Sequence, residues 1–119
     1  MKLQIEGQQW RIRIDEDELG LLLDGGEVVA TSDAAGRFTL RIGLRLIAAV
    51  EAYLEGDAAQ WLLSLPELPV RELAARIPTR EGVRVTIAAA GPAQALQVLF
   101  DVDVRDSARR LKAGGRPGG

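Results

Sequence analysis

The chain has 119 residues, a formal net charge of −2, no cysteine and no histidine. Those two absences remove disulfides, thiolate nucleophiles, cysteine-held metal centres, the commonest general base, the commonest zinc ligand and any Ser-His triad. Hydrophobic residues at 47% and charged residues at 27% suit one folded domain with an ordinary core, and exclude a disordered or membrane-embedded chain.

In chain order, Leu3 and Ile5 alternate with Lys2, Gln4 and Glu6, and after Gly7-Gln8-Gln9 the alternation resumes in Trp10, Ile12 and Ile14 against Arg11 and Arg13. That is the period of a half-buried β-hairpin. Asp15 then stands as a helix N-cap, with Glu16, Asp17 and Glu18 in the first turn, an apolar stripe of Leu19, Leu22 and Leu23, and Gly25-Gly26 as the stop. Val28 and Ala30 lead to Thr31-Ser32-Asp33, a turn over residues 34–37, and Phe38, Leu40, Ile42 and Leu44, a second hairpin. Residues 46–65 read either as a helix, from Ile47, Val50 and Leu54, or as a third hairpin around Glu55-Gly56-Asp57; alternation in Trp61, Leu63 and Leu65 favours the hairpin. Pro69 opens a second helix through Val70, Leu73, Ala74 and Ile77, closed by Pro78. Val83, Val85 and Ile87, then Leu96, Val98, Phe100, Val102 and Val104, predict a last hairpin; no longer-period repeat is evident.

The fold expected is therefore α+β: one antiparallel sheet of about seven or eight strands, built from hairpins, with two short helices on its apolar face. Residues 1–104 form the domain. Leu3, Ile5, Trp10, Ile12, Ile14, Phe38, Leu40, Ile42, Trp61, Leu63, Val85, Ile87, Val98 and Phe100 are the expected core. Residues 105–119 form a basic, Gly-rich tail with little to bury. The body carries 10 basic and 16 acidic side chains, the tail five and one, so an acidic body bears a basic tail.

The opening Met1-Lys2-Leu3-x-Ile5-x-Gly7-x-x-x-Arg11-Ile12-Arg13-Ile14, followed by a helix ending in Gly25-Gly26-x-Val28, resembles a family of small uncharacterised bacterial domains. Trp61-x-Leu63-x-Leu65-Pro66 is similar to the V-x-V-P segment before that family's second helix, while Leu99-Phe100-Asp101-Val102-Asp103-Val104 departs from its final L-V-E-K-D-F. The resemblance implies a fold with strands over 48–65, and no activity.

Four groups of side chains carry possible chemistry. Arg11, Arg13, Arg41, Arg45 and Arg84 all fall on outward positions, where guanidiniums hold phosphate or carboxylate. The simpler account pairs them across strands with Glu6, Glu27, Glu51, Asp101 and Asp103. The acidic run 15–18 lacks EF-hand spacing, and capping explains it without a metal. The pairs Asp101 with Asp103, and Glu51 with Glu55, have no cleft to tune them. The tail offers weak contact to nucleic acid, otherwise disfavoured by the acidic body and by a sheet face without stacking aromatics. Gly25-Gly26 follows a helix and so is no phosphate loop.

No catalytic residue, metal or cofactor is expected. The leading expectation is a non-catalytic binding module acting through a protein partner or self-association, with outward Leu62 and Leu99 as an apolar patch for a symmetric dimer. An anion or nucleotide binder on the arginine face, and an enzyme using carboxylates and arginine, are the alternatives. Thirteen arginines to two lysines suggest a bacterial GC-rich genome. No apolar run approaches the roughly 18 residues of a membrane span, and no signal-peptide h-region follows Lys2, so the expected location is cytoplasmic.

Overall fold

The computed structural model describes residues 1–104; the predicted tail, 105–119, lies outside the described residues. The alternating segments become β1 (Lys2–Glu6), β2 (Gln9–Ile14), β3 (Val28–Ala34), β4 (Phe38–Ile47), β5 (Tyr53–Gly56), β6 (Gln60–Pro66), β7 (Val83–Ile87) and β8 (Leu96–Val102). The helices are α1 (Glu16–Leu23) and α2 (Glu67–Ala75). All four expected antiparallel pairings form: β1 with β2, β3 with β4, β5 with β6, β7 with β8. Residues 53–66 are the hairpin, not the helix. Asp57 fixes its turn by accepting from the backbone N–H groups of Ala59 and Gln60 at 2.8 and 2.9 Å.

α1 starts as its sequence demands. The Asp15 carboxylate accepts from Glu18 N at 2.7 Å and the Glu18 carboxylate accepts from Asp15 N at 3.1 Å, a reciprocal capping box. α2 begins earlier than expected: Pro66 is the N-cap and Pro69 sits one turn's depth inside, where its missing N–H is still one of the orphan donors of a helix start.

The single antiparallel sheet is corrected. There are two mixed sheets of four, ordered β1-β2-β8-β7 and β3-β4-β6-β5, each closed at its centre by a parallel pair, β2 with β8 and β4 with β6. The reason is geometric. Eight strands side by side would span roughly 34 Å at about 4.8 Å each, and helices of eight and nine residues are only about 12–14 Å long. They cannot cover that width, so the sheets cover one another. Ile12, Ile14, Val98 and Phe100 of the first join Leu44, Leu63 and Leu65 of the second in one core, with Leu19 and Leu22 of α1 and Val70 and Leu73 of α2. The rings of Trp10 and Trp61 stack from one sheet to the other, centroids 5.1 Å apart.

The expected core is correct in part. Ile12, Ile14, Ile42, Leu63, Ile87, Val98 and Phe100 are buried; Leu3, Trp10, Leu40, Trp61 and Val85 are half-buried. Ile5 and Phe38 are corrections, 52% and 77% exposed. Alternation identifies the face a residue is on, but not how far along the strand the opposite layer extends.

A long repeat is also present, against expectation. The element order reads twice as ββαββ, first through β1–β4 and again through β5–β8. Exchanging the halves turns the order β1-β2-β8-β7 into β5-β6-β4-β3, which is the second sheet read backwards. Ladder registers align the halves residue by residue: Gln9-Trp10 with Gln60-Trp61, Ile12 with Leu63, Ile14 with Leu65, and Leu44 with Phe100. The same 51-residue offset matches Glu16 with Glu67, Leu19 with Val70 and Leu22 with Leu73. The buried positions agree in character and the surface positions have diverged, so the repeat is faint in sequence.

Candidate functional site

The five outward arginines do not share a face. Arg11, Arg13 and Arg84 lie on β2 and β7 of the first sheet, and Arg41 and Arg45 on β4 of the second. Leu62 and Leu99 are separated likewise, on β6 and β8, and both are half-buried. Each covers a glycine. A Cβ on Gly43 would meet Leu62 Cδ1 at 3.2 Å, and one on Gly82 would meet Leu99 Cδ1 at 2.8 Å. The two leucines thus occupy space left by missing side chains, and they do not form one patch. The glycines beneath them were the signal available in the sequence, but which glycine lies beside which leucine is set by strand pairing.

On the second sheet both arginines are engaged. Arg41 pairs with Glu27 at 3.5 Å, and Arg45 donates from Nε to Ser64 Oγ at 2.9 Å and from Nη2 to Glu55 at 3.3 Å.

The first sheet is different. Its outward rows follow from the register: Lys2, Arg13 and Asp101 in one; Gln4, Arg11, Leu99 and Arg84 in the next; Glu6, Gln9, Gln97 and Thr86 in the third. Asp101 is buried, its side chain 7% exposed, and it accepts from both arginines of β2. Arg11 donates from Nε and Nη2 to Oδ2 at 3.1 and 2.6 Å, and Arg13 donates from Nε to Oδ1 at 3.2 Å. The parallel β2–β8 pair places this carboxylate opposite Arg13 and one row from Arg11. Sequence reasoning named Asp101 as a possible partner, but could not see that one carboxylate serves two guanidiniums.

One buried carboxylate is shared by two guanidiniums, which holds them side by side while each remains 43–44% exposed. Arg84, exposed, stands across β8 from Arg11 with only Leu99 between them in the row. The groove over this row, about 400 Å³, is lined by Arg11 and Arg84, by the amides of Gln4, Gln9 and Gln97, and at one end by the Glu6 carboxylate, with Trp10 among its apolar lining. A second groove of about 490 Å³ lies on the other side of the cluster, lined by three arginines, Arg11, Arg13 and Arg80, and two carboxylates, Asp101 and Asp103. Guanidiniums and amides are hydrogen-bond donors matched to a carboxylate or phosphate. Among the described residues no group of three or more acidic side chains is placed to hold a metal ion, and no helix is long and apolar enough to cross a membrane.

Comparison with family models, with curated proteins and with solved structures finds no match to this chain.

Proposed function

We propose that this protein is a non-catalytic binding module that takes an anionic group of a partner, a carboxylate or a phosphate, on the outer face of the β1-β2-β8-β7 sheet. The observation that carries the reading is the Arg11–Asp101–Arg13 cluster. A buried carboxylate fixes two half-exposed guanidiniums side by side without neutralising both, so little side-chain freedom is left to lose on binding. Arg84 supplies the opposing wall of the groove. The outward rows of the face carry no aromatic, and Trp10, which lines the groove, has its ring stacked on Trp61, which favours an acidic peptide or a small anion over nucleic acid.

Thermal shift with inorganic phosphate, citrate and a polyglutamate peptide tests the proposal. A ligand that binds only the native state stabilises it by RT ln(1 + [L]/Kd), about 2.7 kcal/mol at a hundredfold excess over Kd. The expected result is a rise in Tm with at least one of these anions, weakened by salt and abolished in Arg84→Gln. Equal Tm with and without all three at ~10 mM, about tenfold above a Kd of 1 mM, would refute it.

A further inference from the structure

Each four-stranded sheet has two edges, and three of the four are guarded. β1 carries Lys2 and Glu6, β7 carries Arg84 on its outward side, and β5 is only four residues long. Charge and brevity are the usual defences of a sheet edge against pairing with another chain. β3, Val28-Val29-Ala30-Thr31-Ser32-Asp33-Ala34, is seven residues long, rich in β-branched residues, and has no basic residue or proline. The internal repeat provides a control. Val28 and Val83 stand at equivalent register positions, opposite Leu44 and Phe100, so Val29 occupies on β3 the place Arg84 occupies on β7. The guard present on one edge is replaced by a valine, 41% exposed, on the other.

The edge is also open. Residues 31–39 are all exposed, and the β3–β4 ribbon runs out beyond its sheet, since β6 reaches β4 only from Arg41 onward. Phe38, 77% exposed, sits at its end on the inner face. A two-stranded ribbon projecting alone is marginally stable in water.

We infer that β3 is a self-association edge: two copies of the chain pair β3 with β3 antiparallel about a twofold axis, joining two four-stranded sheets into one of eight. A second copy is the occupant because the strand is self-complementary. Pairing along all seven residues is possible in one antiparallel register, Val28 opposite Ala34 of the other copy with Thr31 opposite Thr31. That register also keeps inner face beside inner face, since the faces alternate with a period of two. The only acid of the strand, Asp33, then faces Val29 and not its own copy, and the central Thr–Thr pair is a favourable cross-strand contact. The ribbon end of one copy, with Phe38 and Arg37, comes alongside the start of β3 in the other. There α1 leaves Leu21 54% exposed. Apolar surface is therefore available on both sides of the interface. This pairing is independent of the anion site, which lies on the other sheet.

The chain has no cysteine, so a single introduced thiol reports the geometry. Thr31 residues facing across an antiparallel pair have Cα atoms about 4.5–5.5 Å apart, within disulfide reach. Sedimentation equilibrium of the full chain is expected to give a dimer. Thr31→Glu, which sets two carboxylates face to face at an exposed position, and Val29→Glu, which sets a carboxylate opposite Asp33 of the other copy, should each raise the dimer Kd by at least about tenfold. Thr31→Cys should cross-link nearly completely on oxidation, whereas Thr86→Cys, the equivalent position on β7, should not. A wild type that stays monomeric to ~100 μM, or a dimer that Thr31→Glu leaves intact and Thr31→Cys fails to cross-link, overturns the inference.

Discussion

Gly56 and Gly7 both have positive φ, +124° and +59°, yet they answer to different constraints. At Gly7, in the β1–β2 turn, an added Cβ meets nothing within 4 Å, so only the left-handed backbone resists a side chain. At Gly56 the Cβ would clash with the carbonyl oxygen of Gln60, on backbone that cannot swing aside. Gly7→Ala should therefore cost about 1–2 kcal/mol, and Gly56→Ala at least about 3 kcal/mol, an ordering that urea denaturation of the two variants will check. Both glycines are visible as turn signals in the sequence. The difference between them is not, because it depends on how closely β5 and β6 approach.

At the scale of the element, local chemistry and structure agree well. α1 shows it best: Asp15, three acids, an apolar stripe and two glycines place a helix within a residue of where it lies. Asp15→Ala removes one half of the capping box and should cost about 0.5–2 kcal/mol, measurable as a lowered urea midpoint with unchanged slope. Hairpins are equally legible, since their partners are neighbours in sequence and their turns carry Gly or Asp chemistry. α2 is less so. Pro66 and Pro69 both fit a helix start, and only packing of Val70 and Leu73 into the core decides that the helix begins at Glu67.

The whole molecule is two interlocked ββαββ halves, and neither half contains a complete sheet. β2 of the first half needs β8 of the second, and β6 of the second needs β4 of the first. Residues 1–50 and 51–104, expressed separately, should each lack a cooperative thermal transition, and mixing them should restore one together with native circular dichroism. Cooperative unfolding of either fragment alone as a monomer would contradict this. By itself the sequence determined composition class, about seven or eight strands, two helices and the antiparallel neighbours, with the hairpin over 46–65 only favoured over a helix, because alternation, caps and turns act over a few residues. Tertiary structure alone decided the two parallel pairings, the division of the arginines between sheets, the sharing of Asp101 by Arg11 and Arg13, and the exposure of Phe38. Each of these depends on contacts between residues distant along the chain, such as Arg11 and Asp101, where no local period carries information. They are settled by burial: two short helices cannot cover eight strands, so the halves exchange hairpins and each sheet covers the other.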